Sequence, residues 1–553
     1  MASRRRKSLP KKRVSPPQRL VVMNPSKGLN NQVSPSLIDN REFSELVNME
    51  YDEGGVIRKR AGYVDFGGTL TDAHGLGTYY TEATRYMWTV DNGVLKLNSG
   101  SGWGATTGAT FTVGSDITGT QARLRLIVWD GVLGGAYLTG TTVTRPGTMP
   151  KAKFSIYYQN KHIASGVDGQ PSRLYISNVT DATDFTVANG GTQPQPDNTN
   201  DTENSLPNVP GATVFSGTPG LTEANVIDVR KNDGDKITGL GIFQDVVIVF
   251  KERSIYQLTF DGTGQPSLTP ITYATGCVSH KSIKAVENDL YFLSREGQRV
   301  LGNEAQYFDA IRSSVISIRI QPVMDTISKS SYSRANAEYF DNKYVLAFPV
   351  GGSAINTAVA YDRRFKAYTK WTNWDAQDMV KFIDADNVES LYFLDDSGTQ
   401  VYMREPGTYS DDGVAIEAYC TSKAQDIGNP DLTKFWIDVR LIFRRLSGTV
   451  TLTFYSDDNT TVGTATLSNT SSRGLGRVAF GLFKIGLDGK IDTGDTDTFQ
   501  DVPESIGLNL DSRTIKFKIY NNSINENFVL LGYVYAYYPK SHFVFDSSKK
   551  IYL

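Results

Sequence analysis

Two cysteines are too few to staple a chain of 553 residues, and Cys277 and Cys420 lie too far apart for any metal-binding spacing. The fold must therefore hold by packing. Histidine is almost as scarce. His74, His162, His280 and His542 are the four, and no pair has the helical spacing of a metal site. No apolar run approaches the ~18 residues that cross a membrane. Leu20-Val21-Val22-Met23, which follows the basic start, is too short for the apolar stretch of a secretion signal. These absences predict a protein made in the cytoplasm, with no membrane-spanning segment.

Signatures of catalysis are missing as well. There is no Gly-x-Ser-x-Gly elbow, no Gly-x4-Gly-Lys phosphate loop and no dinucleotide fingerprint; the glycines at 75 and 77, or at 474 and 476, are incomplete. The Ser-x-Asp-x-Gly-x-x-Trp turn of sialidase-type propellers is also absent. Paired carboxylates such as Asp395-Asp396 and Asp411-Asp412 fall in expected turns, where Asp bonds its own backbone. Asp492, Asp495 and Asp497 supply oxygen ligands but lack the spacing of an EF-hand, so a solvated acidic loop is the simpler reading. The expectation is no enzyme, no metal and no cofactor.

Charge of one sign is lacking overall, at a formal net −2, which argues against a general polyanion binder. Its distribution is uneven. Arg4, Arg5, Arg6, Lys7, Lys11, Lys12, Arg13 and Arg19 form a basic arm, and no acid precedes Asp39. Pro10, Pro16, Pro17 and Pro25 block regular helix there. Clustered cations bind phosphates by releasing counterions. The arm is expected to contact DNA or an acidic neighbouring subunit; an import-like signal and a solvated tail are the other readings.

Aromatic residues are plentiful, with 29 Tyr and 26 Phe, and 51 Gly punctuate the runs between them. Ring-bearing and β-branched runs separated by Gly, Asn and Asp turns predict strands. Leu290-Tyr291-Phe292-Leu293, Tyr344-Val345-Leu346-Ala347-Phe348 and Leu391-Tyr392-Phe393-Leu394 recur about every 50 residues, the length of a four-stranded propeller blade. Leu174-Tyr175-Ile176-Ser177 and Ile255-Tyr256-Gln257-Leu258 are candidates for the same blade position. Val246–Phe250 precedes the latter, and its continuous apolar run suits a strand covered on both faces.

The fold class expected is all-β: a propeller of roughly six to eight blades, then a C-terminal antiparallel β-sandwich. The divisions are the arm at 1–27, an entry segment joining the propeller at 28–69, the propeller at 70–410 and the sandwich at 411–553 with a polar loop at 484–505. The sandwich strands are expected at Ala415–Cys420, Phe435–Phe443, Val450–Tyr455, Val478–Phe483, Thr514–Tyr520 and Phe528–Tyr538. One helix is predicted where Ile320, Val323, Met324 and Ile327 take helical spacing behind Pro322, packed on the propeller rim or at a subunit contact.

Three segments carry a resemblance. The first runs from Gly28-Leu29-Asn30-Asn31 through Ser34-Pro35 and Glu45-Leu46-Val47-Asn48-Met49 to Gly54-Gly55-Val56-Ile57-Arg58-Lys59-Arg60-Ala61-Gly62-Tyr63. The second is Gly276-Cys277-Val278-Ser279-His280-Lys281-Ser282-Ile283, and the third Tyr361-Asp362-Arg363-Arg364-Phe365 to Trp371. In this order they resemble the tail nozzle, or packaged-DNA-stabilisation, proteins of short-tailed bacteriophages. The resemblance implies a virion protein without a catalytic centre, in a hexameric ring below the head-tail connector or adaptor protein. Propellers would surround the channel for genomic double-stranded DNA, with other tail proteins or fibres as neighbours. The long basic arm and the 484–505 loop depart from that pattern. A glycan-binding or glycan-cleaving propeller and a cellular nucleic-acid-binding scaffold are the alternatives.

Overall fold

The computed structural model describes residues 16–100, 102–185, 215–216, 225–260, 266–304, 310–384, 386–468 and 502–540. Seven sheets follow one another as blades. The first is Ala73–Tyr80, Arg85–Asp91, Val94–Asn98 and Gly104–Ala105. The second is Thr118–Ala122, Arg125–Trp129, Ala136–Thr139 and Thr142–Thr144, with Thr107–Gly108 at its rim. Phe154–Tyr158, Lys161–Ser165, Arg173–Ile176 and Asn225–Asp228 make the third, extended by Phe215–Ser216. The fourth is Ile237–Phe243, Val246–Lys251, Ile255–Phe260 and Pro266–Thr272; the fifth is Lys284–Val286, Asp289–Ser294, Gly297–Glu304 and Ala310–Val315. Asn336–Phe340, Lys343–Pro349, Ile355–Asp362 and Ala367–Thr372 form the sixth.

The seventh blade closes the circle. It consists of Ala376–Ile383, Glu389–Asp395 and Val401–Arg404, and its fourth strand, Tyr63–Phe66, comes from ahead of the first blade. Its innermost strand packs against that of the first blade. Joining the two ends of the propeller in one sheet makes opening the ring cost backbone hydrogen bonds as well as packing.

Alternation along the second strands explains why their apolar runs are unbroken. Leu290 and Phe292 face the fourth blade, whereas Tyr291 and Leu293 face the sixth. Leu391 and Phe393 likewise join the core shared with the sixth blade, and Tyr392 and Leu394 the one shared with the first. With both faces buried, every position contributes about 1.5–3 kcal/mol of apolar burial. The ~50-residue repeat is thus the spacing of the second strands of the fifth, sixth and seventh blades. Two of the expected equivalents sit one strand later. Leu174-Tyr175-Ile176 and Ile255-Tyr256 belong to third strands, the second strands there being Lys161–Ser165 and Val246–Lys251. Third strands in these blades are also covered on both faces, so the burial pattern alone does not separate the two positions.

Beyond the propeller, the chain builds a lobe of two further sheets. One contains Asn527–Pro539, Lys434–Ser447 and Val502–Ser512, joined by Gln18–Met23, Ile57–Lys59 and Met49–Tyr51. The other runs through Glu42–Val47, Ala418–Ser422, Lys516–Asn521, Thr449–Tyr455 and Thr461–Ser468. A single parallel bridge from Val47 to Lys370 connects it to the sixth blade. The C-terminal strands therefore do not make a self-contained sandwich. Both sheets need N-terminal strands, and residues 28–69 supply them as well as the closing strand of the propeller. Phe43, Leu46, Tyr51, Trp436, Phe517 and Tyr535 share one core between the sheets. The expected strand at 478–483, and 484–501 of the polar loop, lie outside the described residues, while 502–505 begin a strand.

The expected helix is a single turn, Gln321–Met324, entered from a 3-10 turn at Ile318–Ile320 with Pro322 near its start. Ile320, Val323, Met324 and Ile327 are all buried in the core shared by propeller and lobe. Its place is internal rather than on a rim, because these four side chains find their apolar neighbours there.

Candidate functional site

Two constellations of charge stand out, one on the propeller axis and one at the seam between propeller and lobe. The axial one surrounds a cavity of about 640 Å³ lined by the innermost strands of several blades. Lys281 reaches into it from the turn His280–Ser282, between the fourth and fifth blades. Its Nζ lies 2.6 Å from Asp116, ahead of the second blade, and 2.7 Å from Asp378, on the innermost strand of the seventh. One cation thus ties three separated parts of the ring. Burial by itself would lower the pKa of Lys281, but Asp116 and Asp378 outweigh it and push it up. Beside it, Lys284 donates to Glu338 at 2.8 Å.

Packing around the cavity is equally specific. Trp88 lies against Gly77 and Gly119 on neighbouring innermost strands, and a Cβ at either glycine would overlap the indole. His280 stacks on Phe154 at 4.9 Å and accepts a hydrogen bond from the Leu240 amide at 3.3 Å. Burial, then Lys284 and Lys281, lower its pKa to about 3, so at neutral pH it is an uncharged acceptor. His162 is buried too, with burial lowering it to about 3; its Nε2 is 2.7 Å from the Ser155 hydroxyl. His74 pairs with Asp72 at 3.0 Å, and His542 lies outside the described residues.

The seam is built from the first of the three family-like segments. Arg60 is fully buried and donates to both oxygens of Asp411, at 2.8 and 2.5 Å, and to Asn48 Oδ1 at 3.0 Å. Its guanidinium also lies over the Trp374 ring. Two residues on, a Cβ at Gly62 would overlap the Ser410 carbonyl oxygen, so only glycine allows the chains to approach there. Glu50 is held by Arg58 at 2.9 Å and Arg404 at 2.6 Å. Burial would raise its carboxyl, but Arg404, Arg58 and Lys343 hold it down at about 2.

Of the expected arm residues, Arg4, Arg5, Arg6, Lys7, Lys11, Lys12 and Arg13 lie outside the described residues, as do Asp492, Asp495 and Asp497. Arg19 is exposed on the strand Gln18–Met23, opposite Ala536, so the last part of the expected arm is ordered sheet. Leu20 and Val22 pack on the lobe core and draw it in. Cys277 and Cys420 are buried free thiols, pushed up by burial to about 11 and 12. Among the described residues, no group of three or more His, Cys, Asp or Glu stands where it could hold a metal ion, and no helix is long and apolar enough to cross a membrane. The seam network was not legible as a site. Only the dense cationic run Arg58-Lys59-Arg60 hinted that buried partners were needed.

No protein-family model and no curated protein matches the chain. Solved structures align with it at low identity. The WD40 β-propeller domain of Doa1 aligns over 62% of this chain and 98% of its own, at 8% identity and a TM-score of 0.37. BamB from Moraxella catarrhalis covers 63% and 98%, at 10% identity and a TM-score of 0.32. An exo-β-1,3-galactanase from Phanerochaete chrysosporium covers 86% and 100%, at 9% identity and a TM-score of 0.23. The propeller assignment rests on the strand order and the closed circle of blades.

Proposed function

We propose that this chain is a structural virion protein of a bacteriophage tail, one subunit of a ring around the DNA channel that helps retain and then pass the genome. The observation that carries the reading is where the three family-like segments fall. The first threads through both lobe sheets and closes the propeller; the second carries Lys281 to the axis; the third forms buried strands and a turn of the sixth blade. All three build architecture, as expected of a chain whose work is to hold shape.

The axis bears on the route of DNA. A cavity of about 640 Å³, crossed by the Lys281 ion pairs, leaves no passage for a duplex whose major groove alone is ~12 Å wide. The channel therefore lies between copies, with whole propellers around it, and a hexamer is the ring proposed. Connector or adaptor protein above, and other tail proteins or fibres alongside, are the neighbours. The chain acts without catalysis: the buried carboxylates Asp378 and Glu338 that face the cavity are both tied to lysines, which suits holding blades together rather than acid-base work.

The test is localisation and copy number. Antibody to the purified chain should label virion tails, and quantitative mass spectrometry should find about six copies per particle. Labelled tails with one or three copies would reject the ring, and particles free of the chain would reject the tail role. Saccharide hydrolysis by the purified protein, abolished at Asp378 or Glu338, would establish the glycan-cleaving alternative.

A further inference from the structure

Lys59 ends the strand Ile57–Lys59 of one lobe sheet, and Asn521 ends Lys516–Asn521 of the other. Their side chains meet although they are 462 residues apart in sequence. Both residues are buried, at 0% and 2% exposure. Lys59 Nζ lies 2.8 Å from Asn521 Oδ1 and 2.9 Å from the Ser523 carbonyl oxygen. The buried lysines Lys251, Lys281 and Lys343 each hold a carboxylate. Lys59 donates to neutral oxygens instead, and an ammonium so placed is costly. Burial, with Arg60 adding to it, outweighs Glu526 and Asp411 and lowers the amine to about 8. An uncharged, nucleophilic amine is therefore within reach at neutral pH.

The carboxamide is set for attack. Its Nδ2 donates to the Thr449 carbonyl at 2.8 Å and to Glu526 Oε2 at 3.0 Å, which leaves Oδ1 facing the amine. The carbon Cγ is one bond beyond that oxygen. The Ser523 amide approaches Oδ1 at 3.5 Å, where negative charge would develop. Glu526 is itself fixed. Its Oε2 also accepts from the Thr449 amide at 2.8 Å, and a Cβ at Gly448 would overlap its carboxyl carbon. An amine, a carboxamide and a carboxylate on the leaving nitrogen are the groups that amide exchange needs.

We propose that Lys59 and Asn521 join in an intramolecular isopeptide bond, made by the folded chain itself with loss of ammonia and assisted by Glu526. Uncharged Nζ attacks Asn521 Cγ, and the Nζ–Cγ bond forms as the carbonyl electron pair moves onto Oδ1. Glu526 takes the proton that Nζ sheds and passes it to Nδ2. The pair on Oδ1 returns, the Cγ–Nδ2 bond breaks, and Nδ2 leaves as ammonia. One amine and one carboxamide thus become one secondary amide and one ammonia, with no change of oxidation state. The reaction is a single turnover within the chain and makes it no enzyme. Its product replaces a buried amine with a neutral amide and ties the two lobe sheets covalently, which the two free cysteines do not do. The bond would also enclose the whole propeller, from Tyr63–Phe66 to Val401–Arg404, in one covalent loop.

Mass spectrometry of the purified full-length chain tests it. The intact mass should fall short of the sequence mass by one ammonia. A tryptic digest should hold a branched peptide joining Lys59 to Asn521, with no cleavage after Lys59. K59M and N521A chains should keep the full mass, and so should E526Q, which preserves the size of the side chain. A wild-type chain of full mass, with Lys59 open to trypsin, overturns the proposal. So does ammonia lost to a succinimide at Asn521, which would leave Lys59 free. The branched peptide in E526Q at wild-type yield would overturn the part given to Glu526. One readout needs no variant: wild-type chain nicked once between residues 59 and 521 should stay a single band in SDS under reduction, and two separate fragments would defeat the bond.

Discussion

Arg60 and Asp411, 351 residues apart in sequence, form a two-pronged ion pair in the buried seam between propeller and lobe. The pair sits where the closing strand Tyr63–Phe66 enters the seventh blade and where Ser410–Asp411 leaves it. It joins the two ends of the propeller to each other and to Asn48 in the lobe.

Breaking that pair should be costly. Asp411→Ala leaves a fully buried guanidinium without its carboxylate, a loss of roughly 3–5 kcal/mol. Arg60→Lys should fail as well, since an ammonium cannot reproduce the planar fork. Urea denaturation is the measurement. A change below about 1 kcal/mol would mean that the seam has little to do with stability.

Glu50 should shape acid stability. Its carboxyl is held at about 2 in the folded chain, against 4.5 ordinarily. A depressed carboxylate stabilises the fold above its unfolded pKa, and that contribution is lost as pH falls from about 4.5 through about 2. The shift corresponds to roughly 3 kcal/mol. Glu50→Gln should lower stability at pH 7 and flatten the acid limb; an unchanged limb would contradict the assignment.

Asp375 should act in the opposite sense. Burial, with Asp395, Asp396 and Asp411 adding to it, raises its carboxyl to about 6, and its Oδ1 is buried without a partner. Its folded form prefers the proton, so the stabilisation present below about 3.8 is lost as pH rises through about 6. Asp375→Asn should therefore raise the melting temperature at pH 8 and make no difference near pH 3. A destabilised variant at pH 8 would overturn this account.

The axial ion pairs should be unequal. Asp116 is largely exposed whereas Asp378 is buried, at 72% and 9% side-chain exposure. Asp116→Asn should cost under about 1 kcal/mol, as exposed pairs do. Asp378→Asn, inside the ring, should cost several-fold more. Equal effects in thermal unfolding would show that burial does not set the balance.

Truncation should separate the arm from the strand that follows it. Removing residues 2–15 should leave the melting temperature unchanged but impair tail attachment or DNA retention. Removing residues 2–23 takes Leu20 and Val22 from the lobe core and should lower the melting temperature by several degrees. Stable DNA-filled particles from the shorter truncation, across a range of salt, would make the arm a solvated tail.

Local pattern carried much of the architecture. The recurrence of Leu290–Leu293, Tyr344–Phe348 and Leu391–Leu394 marked successive blades because both faces of a blade strand are covered, and that leaves an uninterrupted apolar signature. Burial of Ile320, Val323, Met324 and Ile327 was also legible from spacing alone. Strand identity within a blade was not, as Tyr175 and Tyr256 show, because second and third strands are covered alike.

By itself, the sequence determined the all-β class and the blade period, since each follows from interactions within a few residues. Tertiary structure decided the rest. That Tyr63–Phe66 closes the seventh blade, that Glu42–Val47 belongs beside Ala418–Ser422, and that Lys281 meets both Asp116 and Asp378 are all pairings across long stretches of chain. Many strands here have similar composition and compatible edges, so local preference leaves their partners open. The choice is made by which arrangement buries both faces of every blade and leaves no buried charge unpaired at Arg60 and Glu50.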